Sequence, residues 1–109
     1  MKKILLVVTF LIITAGISFA DSKLIERGKQ LFNDPQLGKT GSSCNTCHPN
    51  GKGLEKSASK KEFSVMGKPV KSLEEVINFC ITSAMKGKAL DKNSQDMKAL
   101  VAYIKSLAK

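Results

Sequence analysis

The only histidine of the chain stands directly behind two of its three cysteines, in the stretch SSCNTCHPNGKG over residues 42–53. Cys44, Cys47 and His48 have the spacing C-x-x-C-H, set in a run of small, polar, turn-forming residues. Three chemistries use such a spacing. The thiols can form a redox pair, they can supply half of a metal site, or they can add to the vinyl groups of a haem with the histidine placed under its iron.

The remainder of the chain separates these readings. A structural zinc site takes about four ligands, usually from two pairs. Here there is one pair, one histidine and a solitary Cys80 far downstream. A thioredoxin-like dithiol belongs beside a βαβ pattern, and no strand-like alternation is present. A plain disulfide between Cys44 and Cys47 would close a very small loop and stabilise little, leaving His48 without a purpose. Covalent haem attachment uses all three residues. It also supplies core volume to a chain with one tyrosine, no tryptophan and, past residue 20, only Phe32, Phe63 and Phe79. A domain this small needs such a staple.

Export fits the same chemistry. Lys2 and Lys3 form a positive start, residues 4–17 are mostly apolar, and Ser18, Phe19 and Ala20 give a small-x-small ending. This pattern is a secretory signal peptide over residues 1–20, with cleavage after Ala20. A retained membrane anchor is the competing reading. Its apolar run is shorter than the ~20 residues a spanning helix wants, and Thr9, Thr14 and Gly16 weaken it. Membrane contact is therefore expected to be peripheral at most. Residues 21–109 form one domain, and loss of Lys2 and Lys3 takes the net charge from +9 to +7.

Four helical stretches position the motif. Ser22 caps a first helix through about Asn33, with Leu24, Gly28, Leu31 and Phe32 on one face, and Asp34–Pro35 ends it. Ser59 and Glu62 could cap a short helical turn carrying Phe63 and Val65, broken by Gly67 and Pro69. Ser72 and Glu75 make a stronger capping box. Behind it, Leu73, Val76, Ile77, Cys80, Ile81 and Ala84 follow the spacing of one buried face as far as Gly87. The last helix starts near Asn93 or Ser94 and presents Met97, Leu100, Val101, Ile104 and Leu107.

The ligand opposite His48 is not a second histidine, because the chain has none. Met66, Met85, Met97 and Cys80 offer sulfur. Met97 lies on the apolar stripe of the last helix, where core packing is its expected role. Met66 sits among helix breakers. Met85 follows the apolar face of the third helix and precedes Lys86 and Gly87, where the chain leaves the helix and can turn inward. Cys80, at the centre of that face, reads as a core cysteine, with thiolate ligation as the alternative.

The motif between a first and a last helix resembles a small monohaem class I cytochrome c. The stretch SLEEVINFCITSAMKGKAL over residues 72–90, followed by Ser94, Met97 and ALVAYI over residues 99–104, resembles the haem domains of thiosulfate dehydrogenases and related sulfur-oxidation cytochromes. The resemblance implies an all-α cytochrome c fold of about four helices around one covalent haem c. Its first and last helices would cross, with Gly28 and Phe32 against Tyr103 and Ile104. His48 would be the proximal and Met85 the distal ligand of the iron, since the family places a ligand methionine at this position. Cysteine-ligated relatives place the sulfur near the position of Met85, not of Cys80.

Such a six-coordinate centre has no open position for substrate, and thioether ligation favours ferrous iron. The expected function is that of a periplasmic, monomeric electron carrier and not an enzyme. Lys39, Lys52, Lys56, Lys60, Lys61, Lys68, Lys86 and Lys88 would steer redox partner proteins with acidic docking surfaces. Nucleic-acid binding is not expected for an exported chain without a recognition motif. The alternative is a haem subunit or catalytic haem domain of a thiosulfate-oxidising system, with Cys80 or an open sixth site at the iron.

Overall fold

The computed structural model describes residues 19–108, with side chains from residue 20 onward. The signal-peptide reading falls on residues outside that range, apart from its last two positions. The elements in order are α1 (Phe19–Phe32), α2 (Cys44–Cys47), β1 (Phe63–Val65), β2 (Lys68–Val70), α3 (Leu73–Phe79) and α4 (Gln95–Ser106). Two 3-10 turns lie at Pro49–Gly51 and Ser57–Ser59, and a π-helical turn at Cys80–Ala84 extends α3. Helix α1 already includes the three described residues before Ser22, so Ser22 is inside the helix and does not cap it.

The core forms where α1 crosses α4. Along α1, Leu24 and Ile25 are half-buried and Gly28, Leu31 and Phe32 are buried, the spacing of one helical face. Gly28 makes the approach possible. A Cβ built there would lie 2.0 Å from the carbonyl oxygen of Ala99 and 2.7 Å from Tyr103 Cβ. One turn on, the rings of Phe32 and Tyr103 meet at 5.1 Å and 60°, a tilted pairing that aromatic quadrupoles favour. Phe32, Ile81, Met97 and Leu100 are fully enclosed, each contributing about 1.5–3 kcal/mol by burial. An exposed ion pair, Arg27 to Asp96 at 3.3 Å, spans the same two helices; solvent screening keeps its contribution small.

Both later helices start as their sequences predict. Ser94 Oγ accepts from the N–H of Met97 at 3.1 Å, and Ser72 Oγ accepts from the N–H of Glu75 at 3.3 Å. The reciprocal half of the second box is displaced by one residue, because the Glu75 carboxylate accepts from the N–H of Lys71 at 3.0 Å. These contacts satisfy donors that a helix start leaves free.

The fold departs from an all-α plan at residues 63–70. The helical turn expected to carry Phe63 and Val65 is instead a β-hairpin, with Phe63 opposite Val70, Ser64 opposite Pro69 and Val65 opposite Lys68. Met66 and Gly67 hold φ of 51° and 78°, positive at both central positions, which is the geometry of a type I′ turn. Period-two alternation of Phe63 and Val65 suits a strand, and a two-stranded ribbon leaves Pro69 free of any ladder that needs its missing N–H. The architecture is therefore mostly helical with one small hairpin.

Candidate haem site

The turn that carries the motif is held locally. The N–H of Ser43 donates to Thr46 Oγ1 at 3.0 Å, and α2 lifts Cys44 and Cys47 to the same side one turn apart. The N–H of His48 then closes on Cys44 O at 2.9 Å. The His48 ring is fixed by a second bond, Nδ1 to the carbonyl oxygen of Lys52 at 3.0 Å. A carbonyl only accepts, so Nδ1 is the donor, and in the neutral ring Nε2 is the nitrogen with the lone pair. A histidine whose far nitrogen is tied to a backbone carbonyl is oriented as a metal ligand.

Cys44, Cys47 and His48 line a cleft together with Leu54, Phe63, Leu73, Val76, Ile77, Cys80, Met85 and Ile104, among others. It encloses about 240 Å³, where a single water needs only about 10–15 Å³. An apolar space of that size is no packing defect in a small domain, because interiors are close-packed. A large, flat, apolar group with two sites for thioether bonds and a metal facing histidine fits this wall, and haem c has those properties.

Met85 reaches the cleft through the end of α3. The side chains of Leu73, Ile77, Ile81 and Met85 form a buried row at four-residue intervals, while Val76, Cys80 and Ala84 form the neighbouring row on the cleft wall. The N–H of Met85 bonds to Cys80 O at 3.0 Å, five residues back, which is the wide turn of a π-helix. Lys86 follows with φ 55°, and the N–H of Gly87 returns to Ile81 O at 2.7 Å. Met85 is 4 % exposed.

Two contacts grip this exit. The N–H of Lys39 donates to Met85 O at 2.7 Å, and Gly38 lies so close that a Cβ would sit 2.4 Å from the same oxygen. The Asn78 amide spans the loop, its Nδ2 donating to Leu90 O at 2.9 Å and its Oδ1 accepting from Leu90 N–H at 2.8 Å. The sequence carries no local signal for this clamp.

The other sulfur candidates separate clearly. Met97 is fully buried in the core and is not on the cleft wall. Met66 is 86 % exposed at the hairpin turn. Cys80 is half-buried and faces the cleft, not the centre of a protein core as its periodicity predicts. Burial first, and then the nearby Cys80, push the Cys44 thiol up to about 11. Burial, with Cys47 second, raises Cys80 as well. Cys44 and Cys80 are thus both desolvated at the cleft, whereas Cys47 is exposed.

Exposed lysines attend the ligand positions. Backbone bonds set Lys39 beside Met85 and Lys52 beside His48, Lys86 follows Met85, and Lys60 lines the cleft.

A mostly helical domain whose first and last helices cross beside a cleft lined by a C-x-x-C-H motif is a c-type cytochrome domain. The family described as SoxA/TsdA, cytochrome c domain, matches residues 27–109, and the chain belongs to it. Searches of curated proteins and of solved structures return no match. Membership brings haem c and its iron, and with them haem-based electron transfer. Among the described residues no helix is long and apolar enough to cross a membrane.

Proposed function

We propose that this chain is an exported, periplasmic electron carrier holding one covalent haem, whose iron His48 and Met85 would ligate. The observation that carries the reading is that His48 and Met85 line one cleft, each held by backbone hydrogen bonds, while Met66 and Met97 lie elsewhere. When bound, the haem supplies a one-electron centre whose potential methionine ligation raises. Cys44 and Cys47 would anchor it, and the single C-x-x-C-H motif of this sequence supports one such group. His48 offers Nε2 in a fixed orientation. Met85 would offer its sulfur from the cleft wall, and the apolar lining would exclude water from the group, so that little would rearrange around it on electron transfer.

The exposed lysines around these ligands favour brief, salt-sensitive encounters between this monomeric carrier and acidic partner proteins. The reduced protein is expected not to respond to carbon monoxide and to show no turnover with thiosulfate or peroxide. Rapid gas binding would replace the carrier with an open catalytic iron.

A second reading is favoured by the family. The same domain would relay electrons from a separate enzyme that oxidises sulfur compounds. Reduction of the ferric protein by thiosulfate only when such an enzyme is present would support the relay. Reduction by thiosulfate alone, abolished in Cys80→Ser, would make Cys80 part of a catalytic site.

A further inference from the structure

Ser57 is the buried polar residue among the described side chains, 9 % exposed. Its N–H is used on Leu54 O at 3.0 Å, but its hydroxyl has no hydrogen-bond partner among the described residues. Ser57 lines both the haem cleft and a second cavity of about 250 Å³. Lys60 and Phe63 line both spaces as well, so the two share a wall.

The second cavity is mostly polar, where the first is mostly apolar. Lys60, Lys71 and Lys105 bring three ammonium groups to it against one carboxylate, Glu74. Neither ion pair found among the described residues uses any of the three. Among the described residues Lys60 is the one lysine on the wall of the haem cleft. Ser42 and Ser43 lie beside the attachment cysteines, and Ser64 is exposed.

A haem attached through its vinyl edge carries two carboxylates on another edge. Cys44 and Cys47 fix the vinyl edge, so the carboxylates fall on a different part of the wall. A carboxylate entering an apolar cleft needs donors there, and a charged donor is worth most. We infer that Ser57 Oγ and Lys60 Nζ seat a haem carboxylate, with Lys71 and Lys105 supplying the surrounding positive field. This rests on the haem reading of the cleft.

The test uses the holoprotein and the variants Lys60→Met, Lys60→Arg and Ser57→Ala, with the exposed Lys98→Met as control. The alkaline pyridine spectrum of the wild type comes first. Absence of covalent haem there overturns the haem reading itself, and this inference with it. With haem present, midpoint potentials are measured from pH 5 to 9.

Removing the ammonium leaves the carboxylate charge uncompensated, which favours ferric iron. Lys60→Met is expected to shift the ferric–ferrous equilibrium about tenfold toward ferric, a fall of about 59 mV for one electron. Its carboxylate now titrates higher, and the ferrous form binds that proton more tightly. The potential should therefore decline with rising pH where the wild type is flat. Lys60→Arg restores the wild-type profile, Ser57→Ala shifts the potential down by a smaller amount, and Lys98→Met changes neither. Ser57→Ala carries the test by itself if Lys60→Met yields no holoprotein. Potentials and pH profiles of Lys60→Met and Ser57→Ala that match Lys98→Met overturn the assignment.

Discussion

Replacing Asn78 by alanine removes two of the bonds that hold the segment after Met85 to α3, at 2.9 and 2.8 Å, and leaves the exposed Lys92–Glu75 pair. Leu90 then loses a partner for its N–H and for its C=O together. Each bond is half-buried, so about 1 kcal/mol apiece is reasonable, about 2 kcal/mol in all. If that energy holds the loop closed over the iron, the open population rises about 30-fold. The grip of Lys39 on Met85 O remains, so the fold and the haem are retained. Imidazole binds ferric iron only in molecules whose methionine has left, and its apparent affinity scales with that fraction. The Asn78→Ala holoprotein is therefore expected to bind imidazole about 30-fold more tightly than the wild type. Asn78→Asp keeps the acceptor but not the donor and should fall between the two. A loss of thermal stability with unchanged imidazole affinity would refute the reasoning, because the clamp would then hold the fold and not the ligand.

Gly28→Ala should lower stability by about 2–3 kcal/mol, since the new methyl meets the Ala99 carbonyl and two helices must part; thermal unfolding reads this as a drop of roughly 10 °C or more. Met66→Asn places a residue suited to positive φ at the hairpin turn and should hold or raise the melting temperature, with the haem spectrum unchanged. A lost or altered spectrum would return Met66 to the iron. The Glu75 carboxyl is held below its ordinary value, first by the N–H of Lys71 and then by Lys92. Its contribution is present above the unfolded value and fades as pH falls through the lower folded one, so Glu75→Gln should flatten the acid limb of the unfolding curve.

The parts of this fold that were legible in the sequence are those with local causes. The C-x-x-C-H spacing, the serine caps at Ser72 and Ser94, the proline stop after α1 and the close approach at Gly28 all depend on residues a few positions apart or on one missing side chain. The hairpin was not legible. Its strands are three residues long, and its turn puts methionine where asparagine or glycine would announce it. The π-turn was equally silent, since nothing in CITSA over residues 80–84 marks a bond five residues back. It ends α3 with Met85 in the buried row, while Cys80 lies on the neighbouring cleft wall; the periodicity put Cys80 on the right face, but could not show that this face borders a cleft. The partners of the site, Lys52 O for His48 and Asn78 for the Leu90 backbone, are contacts across loops that no spacing encodes.

The central claim is that Met85 and His48 bind iron from opposite sides of one covalent haem. The near-infrared absorption of the ferric protein tests it most directly, recorded for the wild type, Met85→Ala and Cys80→Ser. A weak charge-transfer band of methionine-bound iron in the wild type and in Cys80→Ser, absent from Met85→Ala, is the predicted result. A band that survives Met85→Ala, or a wild-type spectrum of thiolate or high-spin character, would contradict it.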